Sequence, residues 1–373
     1  MQTTLHHYQK QLWDGGWWLH PSISNIGNAE AVTDGPGCMR EKTKVRAGTG
    51  IQTNLKLDLK FIDRPIPKPG PNELVVRNHA VAANPIDWKI QDYGYEVDTY
   101  PTVLGSDSCG VVVAIGEGVT KFKVGDRVTG FAGVIYNNDI NHGAWQTYTV
   151  LRDIATTQIP DNMSFEEGSV FPMAMATSVI ALHSQESGLL IWGASSSVGI
   201  SALQLARNLG FKVFATASPT HYQTLKSLGA FEVFDYHDSS VVDKIVAAAK
   251  SAGAPISLGF DTITEGTTVK QAADVLAASG GKGGKLVLVL EWPEGEKVDS
   301  IEVSQTGATR TGRDQVELGK WFFNEYLEKS LANGSIVSAP KIEVVAGGIK
   351  AAQGVFDKLK AGVSGKKLVV TVD

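Results

Sequence analysis

The sequence has little of what would point to a secreted, membrane-bound or nucleic-acid-binding protein. Its 373 residues include two cysteines, Cys38 and Cys109, which excludes a disulfide framework and favours a reducing, cytoplasmic setting. No apolar run approaches the ~20 residues of a membrane-spanning helix, and the first residues lack the layout of a secretory signal. A net charge of −5 leaves no basic excess for nucleic acid. The sequence therefore predicts neither a membrane nor a nucleic-acid partner.

What the sequence does contain is a βαβ unit of nucleotide-binding type over residues 189–218. Residues 189–192 form an apolar run typical of a buried strand, and apolar residues at helical spacing then lead to a second strand over residues 212–217. Between strand and helix, Gly193 allows a sharp turn and Gly199 lets the helix pack closely on the strand. The flanking strand and helix favour a dinucleotide site over a βαβ turn without a ligand.

The residues of this turn form the first group predicted to bind the cofactor. The amides at the start of the helix have no intrahelical acceptor, so they can face a pyrophosphate. Serines stand where a standard G-x-G-x-x-G sequence has further glycines, so the fingerprint is loosened. The predicted group is Gly193, Ala194, Ser195, Ser196, Ser197, Val198 and Gly199.

The residues after the second strand favour NADPH over NADH. A site for NAD usually has an Asp or Glu there, which binds the ribose 2′-hydroxyl, and residues 217–222 (ASPTHY) contain neither. Ser218 and protonated His221 can donate hydrogen bonds to a 2′-phosphate, and Tyr222 can donate one or stack beside the adenine. The alternative is a polar loop that merely follows a strand.

The chain divides into three parts. Residues 1–45 combine tryptophans, histidines and glycines without a regular period, which predicts an extension that lacks ordered structure. Residues 46–183 carry short strands separated by Gly and Pro turns and end in one apolar helix from residue 165. Strands and helices alternate over residues 184–319, which predicts a doubly wound parallel sheet. A closing strand near the end predicts that residues 320–373 complete the β module.

Several motifs in this order resemble the medium-chain dehydrogenase/reductase superfamily. They are GSDSCGVVVAIGEGVTKFKVGDRVTGF from Gly105, LLIWGASSSVG from Leu189, and VSGKKLVVTV near the end. NPIDWK at residues 84–89 and the GASSSVG turn resemble the zinc-independent quinone-reductase and enoyl-reductase branch, particularly fungal enoyl reductases that act in trans beside polyketide synthases. The resemblance covers most of residues 55–373. It implies a GroES-like β-barrel catalytic domain, a Rossmann domain, and NADPH in the cleft between them.

The resemblance also implies that no metal is bound. Zinc-dependent members carry a catalytic cysteine on the loop that here reads AANPIDWK, and Gly-His-Glu where this chain has GSD at residues 105–107. A catalytic zinc needs about three N, S or O side chains around one open position. We therefore expect protein donors to stabilise the negative charge that develops in the reaction, which suits conjugate reduction better than alcohol oxidation.

In conjugate reduction, hydride adds to the β-carbon, an enolate oxygen forms, and the α-carbon takes a proton. The resemblance places Asn84, Asp87 and Lys89 on the cleft floor, where Lys89 donates to the carbonyl or enolate oxygen. Tyr93 or Tyr136 is the candidate proton source. Thr177 matches a family position near the nicotinamide and phosphates, with a hydroxyl bonded back into its own helix as the alternative.

The sequence thus predicts an NADPH-dependent, zinc-independent oxidoreductase that reduces an activated C=C bond of a small molecule. A zinc-independent quinone or carbonyl reductase is one alternative, and a nucleotide-binding protein with little catalysis is another. The resemblance leaves both a polyketide-synthase partner and a homodimer open. The connection over residues 183–188 is shorter than in related enoyl reductases, which bears on the width of the cofactor cleft.

Overall fold

The structure is a computed structural model. It describes residues 36–40, 59–94, 101–182, 188–279, 283–291 and 301–372. Of the extension predicted over residues 1–45, one strand is therefore described, and the short connection over residues 183–187 lies outside the described residues.

The strands of the described residues form three sheets. In chain order they are β1 (Pro36–Arg40), β2 (Lys60–Asp63), β3 (Glu73–Ala82), β4 (Thr102–Val103), β5 (Asp107–Ile115), β6 (Arg127–Phe131), β7 (Tyr148–Arg152), β8 (Thr156–Gln158), β9 (Gly188–Trp192), β10 (Lys212–Thr216), β11 (Glu232–Phe234), β12 (Ile256–Asp261), β13 (Gly284–Leu288), β14 (Ile301–Gln305), β15 (Lys341–Val344) and β16 (Lys366–Thr371).

The helices lie between and around these sheets. In chain order the α-helices are α1 (Pro85–Tyr93), α2 (Val134–Asn137), α3 (Phe165–Gly168), α4 (Pro172–Ala181), α5 (Ser197–Asn208), α6 (Tyr222–Ser227), α7 (Val241–Ser251), α8 (Thr268–Ser279), α9 (Arg310–Arg313), α10 (Val316–Trp321), α11 (Glu328–Ala332) and α12 (Ala352–Lys360). A π-helix, Phe322–Leu327, joins α10 to α11.

The first large sheet is mainly antiparallel, with the strand order β15-β16-β3-β5-β6-β8. β3 is its central strand, because it pairs with β5 and β16 and also with β7. The last strand of the chain, β16, therefore lies beside a strand near its start, with Val370 opposite Val81. A small sheet, β2-β1-β4, stands apart from it.

The second large sheet confirms the predicted doubly wound arrangement. Its six strands are parallel and follow the order β11-β10-β9-β12-β13-β14. The chain runs outward from β9 in one direction and then from β12 in the other. The two halves meet between β9 and β12, and ligands of such sheets bind outside the carboxyl ends of the strands at this point.

β9 shows how the hydrophobic core is divided. All five of its residues are buried, and side chains alternate between the two faces of a strand. Leu189 and Ile191 join the large apolar cluster that continues into the antiparallel sheet. Leu190 and Trp192 join a second cluster on the other face, beneath α7 and α8. The first cluster packs the two sheets into one body.

The prediction of one helix from residue 165 to 183 is wrong within the described residues. The segment forms two helices, α3 and α4, with a break at residues 169–171. Pro172 has no N–H to continue the hydrogen-bond ladder and is the first residue of α4, where a missing donor costs nothing. Gly168 is the last residue of α3, and a Cβ there would lie 2.6 Å from the Cys109 sulfur, so this close approach requires glycine.

Candidate active site

The glycine turn after β9 has the shape that the sequence predicts. Gly193 has a φ of +77°, and a Cβ on it would lie 2.4 Å from the Ile263 side chain. A Cβ on Gly199 would lie 2.5 Å from the Gly193 carbonyl oxygen. Both positions therefore need glycine, one for the bend and one for the close approach of α5 to the turn.

Hydrogen bonds tie this turn to the neighbouring strand and cap the helix that follows. The Gly193 N–H donates to Thr216 Oγ1 (3.0 Å), and the Ala194 N–H donates to the Thr216 carbonyl (2.9 Å). The Ser196 hydroxyl accepts from the Gly199 N–H (2.9 Å), as an N-cap does. Ser196 also lies 3.0 Å from the Thr262 hydroxyl, which donates to the Trp192 and Gly193 carbonyls.

The donor set of the turn fits a pyrophosphate. The amides at positions 197 and 198 belong to the first turn of α5, where no intrahelical acceptor exists and the helix dipole favours an anion. Ser195, Ser197 and Val198 are partly exposed, so a ligand can reach them. Ser196 differs, because its oxygen already caps the helix. The sequence did not indicate Thr262, since it follows β12 and its hydroxyl meets the turn from 66 residues away.

The predicted ribose end of the site lies beyond β10. Ser218 Oγ donates to the Tyr236 hydroxyl (3.4 Å), and His221 Nε2 lies 2.9 Å from Ser364 Oγ. Tyr222 begins α6 and is half-buried; burial raises the pKa of its hydroxyl. The sequence analysis missed Tyr236, although a signal was available: Tyr236 comes two residues after the end of β11, the strand next to β10, at the same carboxyl edge of the sheet.

A carboxylate, Asp235, also lies at this edge, after β11. Its Oδ1 accepts from the His237 backbone N–H (3.0 Å) and lies 2.8 Å from the His237 ring nitrogen. These hydrogen bonds hold the pKa of Asp235 below its usual range.

On the other side of the site, the predicted cleft floor contains a buried polar network. Asn84 caps α1 and its amide donates to Asp107 Oδ2 (2.8 Å). Lys367 Nζ donates to Asn84 Oδ1 (2.5 Å) and lies 3.0 Å from Asp107 Oδ2. The Asn84 side chain is thus occupied on both of its polar atoms.

Asp87 is fully buried at the start of α1. Its Oδ2 accepts from the Asn84 N–H (2.9 Å) and from the Trp145 indole N–H (3.3 Å), while its Oδ1 has no partner among the described residues. Burial raises the pKa of Asp87 to about 7. These contacts make it a helix cap and an anchor for Trp145, and its role toward a cofactor remains a prediction.

Lys89 and Tyr93 lie one turn apart on α1, beside Trp88. Lys89 is half-buried, with its Nζ 5.7 Å from the Trp88 ring centroid. Tyr93 is 69% exposed and meets the same ring edge-on, with centroids 6.1 Å apart. Lys360 Nζ lies 5.5 Å from that ring on α12. Both predicted catalytic residues of α1 therefore lie beside the same aromatic ring, that of Trp88.

Tyr136 lies in a different place, where the antiparallel sheet contacts the segment that follows β14. Its ring stacks on Phe131 (6.1 Å between centroids) and fills the space beside two glycines, since a Cβ on Gly133 or Gly312 would lie 2.1 or 2.9 Å from the ring. Burial raises the pKa of its hydroxyl, and the Arg152 guanidinium opposes this. The hydroxyl is buried without a partner of hydrogen-bonding geometry among the described residues.

Thr177 shows the hydrogen bond that the sequence left as the alternative. Its hydroxyl donates to the Met173 carbonyl (2.8 Å), one turn back in α4. Its own carbonyl accepts from Thr306 Oγ1 (2.9 Å), so it marks where α4 meets the segment after β14.

No ring contact or hydrogen bond among the described residues joins Tyr136 to Lys89 or Tyr93.

The described part of the chain holds no group of three His, Cys, Asp or Glu side chains that could hold a metal ion. In the same part, no helix has the length and apolarity to span a membrane. Cys109 is fully buried, and burial raises the pKa of its thiol above its usual range. The donor set of the described residues does not fit a catalytic zinc.

A parallel sheet with a glycine turn at its switch point, packed against an antiparallel sheet, defines a dinucleotide-dependent enzyme class. Two family models match: "Alcohol dehydrogenase GroES-like domain" over residues 70–161 and "Zinc-binding dehydrogenase" over residues 197–308. Trans-enoyl reductase tndF of Aspergillus flavipes is 40% identical over 328 residues, which cover 83% of this chain and 94% of that protein. The chain belongs to the medium-chain dehydrogenase/reductase superfamily and is an oxidoreductase related to fungal trans-enoyl reductases.

Solved structures agree with this assignment. A quinone oxidoreductase of Pseudomonas syringae pv. Tomato DC3000 is 26% identical, with a TM-score of 0.69 over 84% of this chain and 95% of that chain. The Escherichia coli quinone oxidoreductase, solved in complex with NADPH, has the same fold at 20% identity, with a TM-score of 0.69 over 90% of this chain and 99% of that chain. The predicted family, fold class and enzyme class are confirmed.

Proposed function

We propose that the protein reduces an activated C=C bond, as in an enone or enoyl thioester, with NADPH as the reductant. The observation that carries this proposal is the 40% identity to a trans-enoyl reductase along 94% of that protein. The glycine turn supports it, because both of its glycines are needed where they stand and the helix that follows it at the switch point of the sheet starts with amides that have no intrahelical acceptor.

The preference for NADPH rests on the polar groups beyond β10. Ser218, His221 and the Tyr236 hydroxyl can each donate a hydrogen bond to a 2′-phosphate, and no carboxylate follows directly on this strand. Asp235, at the neighbouring strand end, is hydrogen-bonded to His237. We expect His237 to limit the repulsion between that carboxylate and the phosphate.

When bound, NADPH supplies the hydride for the β-carbon of the substrate. The residues of this chain then have two tasks: to hold the carbonyl oxygen as it gains charge, and to deliver a proton to the α-carbon. Lys89 is suited to the first task, since the residue is half-buried and its Nζ lies 5.7 Å from the Trp88 ring centroid. A positive charge in a partly dry site stabilises an enolate oxygen more strongly than the same charge in water.

Tyr136 is better suited than Tyr93 to deliver the proton. The Tyr136 hydroxyl is buried, and its hydrogen has no acceptor among the described residues. Tyr93 is 69% exposed, so water competes for its hydroxyl. A general acid positioned in this way contributes about 10²–10⁴-fold to the rate.

A second candidate function is quinone reduction, because the 26% identical structure is a quinone oxidoreductase. The two functions share the cofactor site and differ in the acceptor. The polyketide-synthase partner remains a proposal that rests on the resemblance of the sequence to fungal enoyl reductases acting in trans; such a partner would present the enoyl substrate as a carrier-bound thioester.

Turnover with a panel of acceptors tests the proposal. The purified protein is titrated with NADPH and NADH by its tryptophan fluorescence, and NADPH oxidation is then followed with an enoyl thioester, an enone, an aldehyde and a quinone. Saturated thioester or ketone, identified by mass spectrometry, supports the proposal. Turnover of the quinone alone favours the second function, and binding without turnover of any acceptor contradicts both.

A further inference from the structure

A buried junction joins three distant parts of the chain below the cleft floor. It consists of Asn84, Asp107 and Lys367, together with the Met173 amide. Asp107 Oδ1 accepts from the Met173 N–H (2.6 Å), while its Oδ2 takes the Asn84 amide (2.8 Å) and the Lys367 ammonium (3.0 Å). One carboxylate thus binds the first residue before α1, the first turn of α4 and the last strand, β16.

The charges of this junction are among the most thoroughly buried in the described residues. The side chains of Asp107 and Lys367 are 0% and 3% exposed. Removing two charges from water costs several kcal/mol, and an apolar pair of similar volume is often equally or more stable. The ion pair therefore adds little to the stability of the fold. Its charged hydrogen bonds instead fix the positions of the elements that meet at this junction.

The elements that meet at the junction carry the proposed site. α1 carries Lys89, about one and a half turns from the cap that Asn84 provides. α4 carries Thr177, whose carbonyl contacts the segment after β14. The Ser178 hydroxyl of α4 donates to the Ala174 carbonyl (2.7 Å) and also lies 3.2 Å from the Val198 carbonyl of α5. The junction therefore connects α1, which bears Lys89, with α4, which contacts α5, the helix that follows the glycine turn.

We propose that Asp107 and Lys367 are positioning residues of the reductase site, which fix the start of α1 relative to the start of α4 and so hold Lys89 at its working distance from the cofactor. This inference rests on the proposed function. Displacing reacting groups by about 1 Å can cost about 10²-fold in rate, even when the displaced residue lies away from the chemistry.

The main test is the double variant Asp107→Asn/Lys367→Met, which removes both charges and leaves neither one unpaired. The expected result is a Tm within a few degrees of the wild type, since an uncharged replacement avoids the desolvation cost. The expected kcat is at least about tenfold lower, with the Kd for NADPH changed less than about threefold. The kinetic isotope effect on kcat with 4-deuterated NADPH should rise, because the chemical step becomes slower than product release.

The isotope effect separates positioning from mere loss of folded protein. A smaller fraction of correctly folded enzyme lowers kcat without changing the isotope effect. The single variant Lys367→Met should lower the Tm, because it leaves the Asp107 carboxylate buried without its counter-ion. A crystal structure of the double variant should show Asn84 displaced relative to Met173.

Lys366→Met is the matched control. Lys366 is the neighbouring residue on the same strand, but its side chain is 46% exposed and pairs with Glu343 (3.0 Å) at the surface. An exposed ion pair of this kind contributes about 0–1 kcal/mol. We expect wild-type kcat, isotope effect and Tm from this variant.

A double variant with the wild-type kcat and isotope effect, or with Asn84 and Met173 in their wild-type positions, would overturn the inference. If the double variant does not fold, Asp107→Glu decides the question, since it keeps the charge and lengthens the side chain: lower kcat with a raised isotope effect supports positioning, and unchanged values contradict it. A wild-type protein without NADPH-dependent turnover would instead overturn the proposed function, and this inference with it.

Discussion

Replacing Gly199 by alanine tests whether the cofactor site depends on close contact between α5 and the glycine turn. The added Cβ would lie 2.5 Å from the Gly193 carbonyl oxygen and 2.7 Å from the Ala194 Cα. Both neighbours are backbone atoms, so no flexible side chain can move aside, and the helix must shift by several tenths of an ångström. Overpacking of this kind costs about 3 kcal/mol, against a gain of about 1 kcal/mol in helix propensity.

The expected net loss is therefore about 2 kcal/mol of unfolding free energy. We expect the affinity for NADPH to fall at least about tenfold, because the shift moves the amides at the start of α5 away from the pyrophosphate. Urea unfolding and fluorescence titration measure the two effects. Gly354→Ala is the control: Gly354 lies in α12 with nothing within 4 Å of an added Cβ, so a gain of up to about 1 kcal/mol and unchanged affinity are expected. Wild-type stability and affinity in Gly199→Ala would refute the reasoning.

Three further predictions concern single side chains. Tyr136→Phe keeps the ring in its place and removes the hydroxyl, so kcat should fall about 10²-fold or more in steady-state assays while the Kd for NADPH stays within about twofold; an unchanged kcat would exclude it as the proton donor. Tyr236→Phe should weaken NADPH binding about fivefold without affecting NADH, measured by fluorescence titration, and equal losses for both would contradict a 2′-phosphate contact. Burial raises the pKa of Asp87 from 3.8 to about 7, so the folded state keeps a proton that the unfolded state has released. Stability should therefore fall as the pH rises from about 4 to 7, and urea unfolding of Asp87→Asn across this range should show a smaller fall than the wild type, with an identical pH profile counting against the argument.

The glycine turn could be predicted from the sequence because all of its determinants are local. A buried strand, a glycine with positive φ and a helix start follow one another within 12 residues of chain, and each leaves its own mark on composition. The role of Asp87 could also have been found locally. Asn84 and Asp87 stand at the spacing of a helix cap and its third residue, which indicates a capping pair as readily as a cofactor contact.

Contacts between distant segments could not be predicted in the same way. Thr262 reaches Ser196 across two parallel strands, and Lys367 reaches Asn84 from 283 residues away. A single sequence carries no pairing information over such separations, because these contacts depend on how strands far apart in the chain pair within a sheet. A proton donor therefore has to be chosen from the folded arrangement.

In the folded protein, the three predicted catalytic residues lie in two different places. Lys89 and Tyr93 share the Trp88 ring on α1, whereas Tyr136 is buried beside Gly312. A conjugate reduction needs its charge-stabilising group and its proton donor at different atoms of the substrate, since the enolate oxygen and the α-carbon are two separate atoms bonded to the same carbonyl carbon. Two groups held by different elements meet this need better than neighbours on one helix face, which is a physical reason to pair Lys89 with Tyr136 rather than with Tyr93.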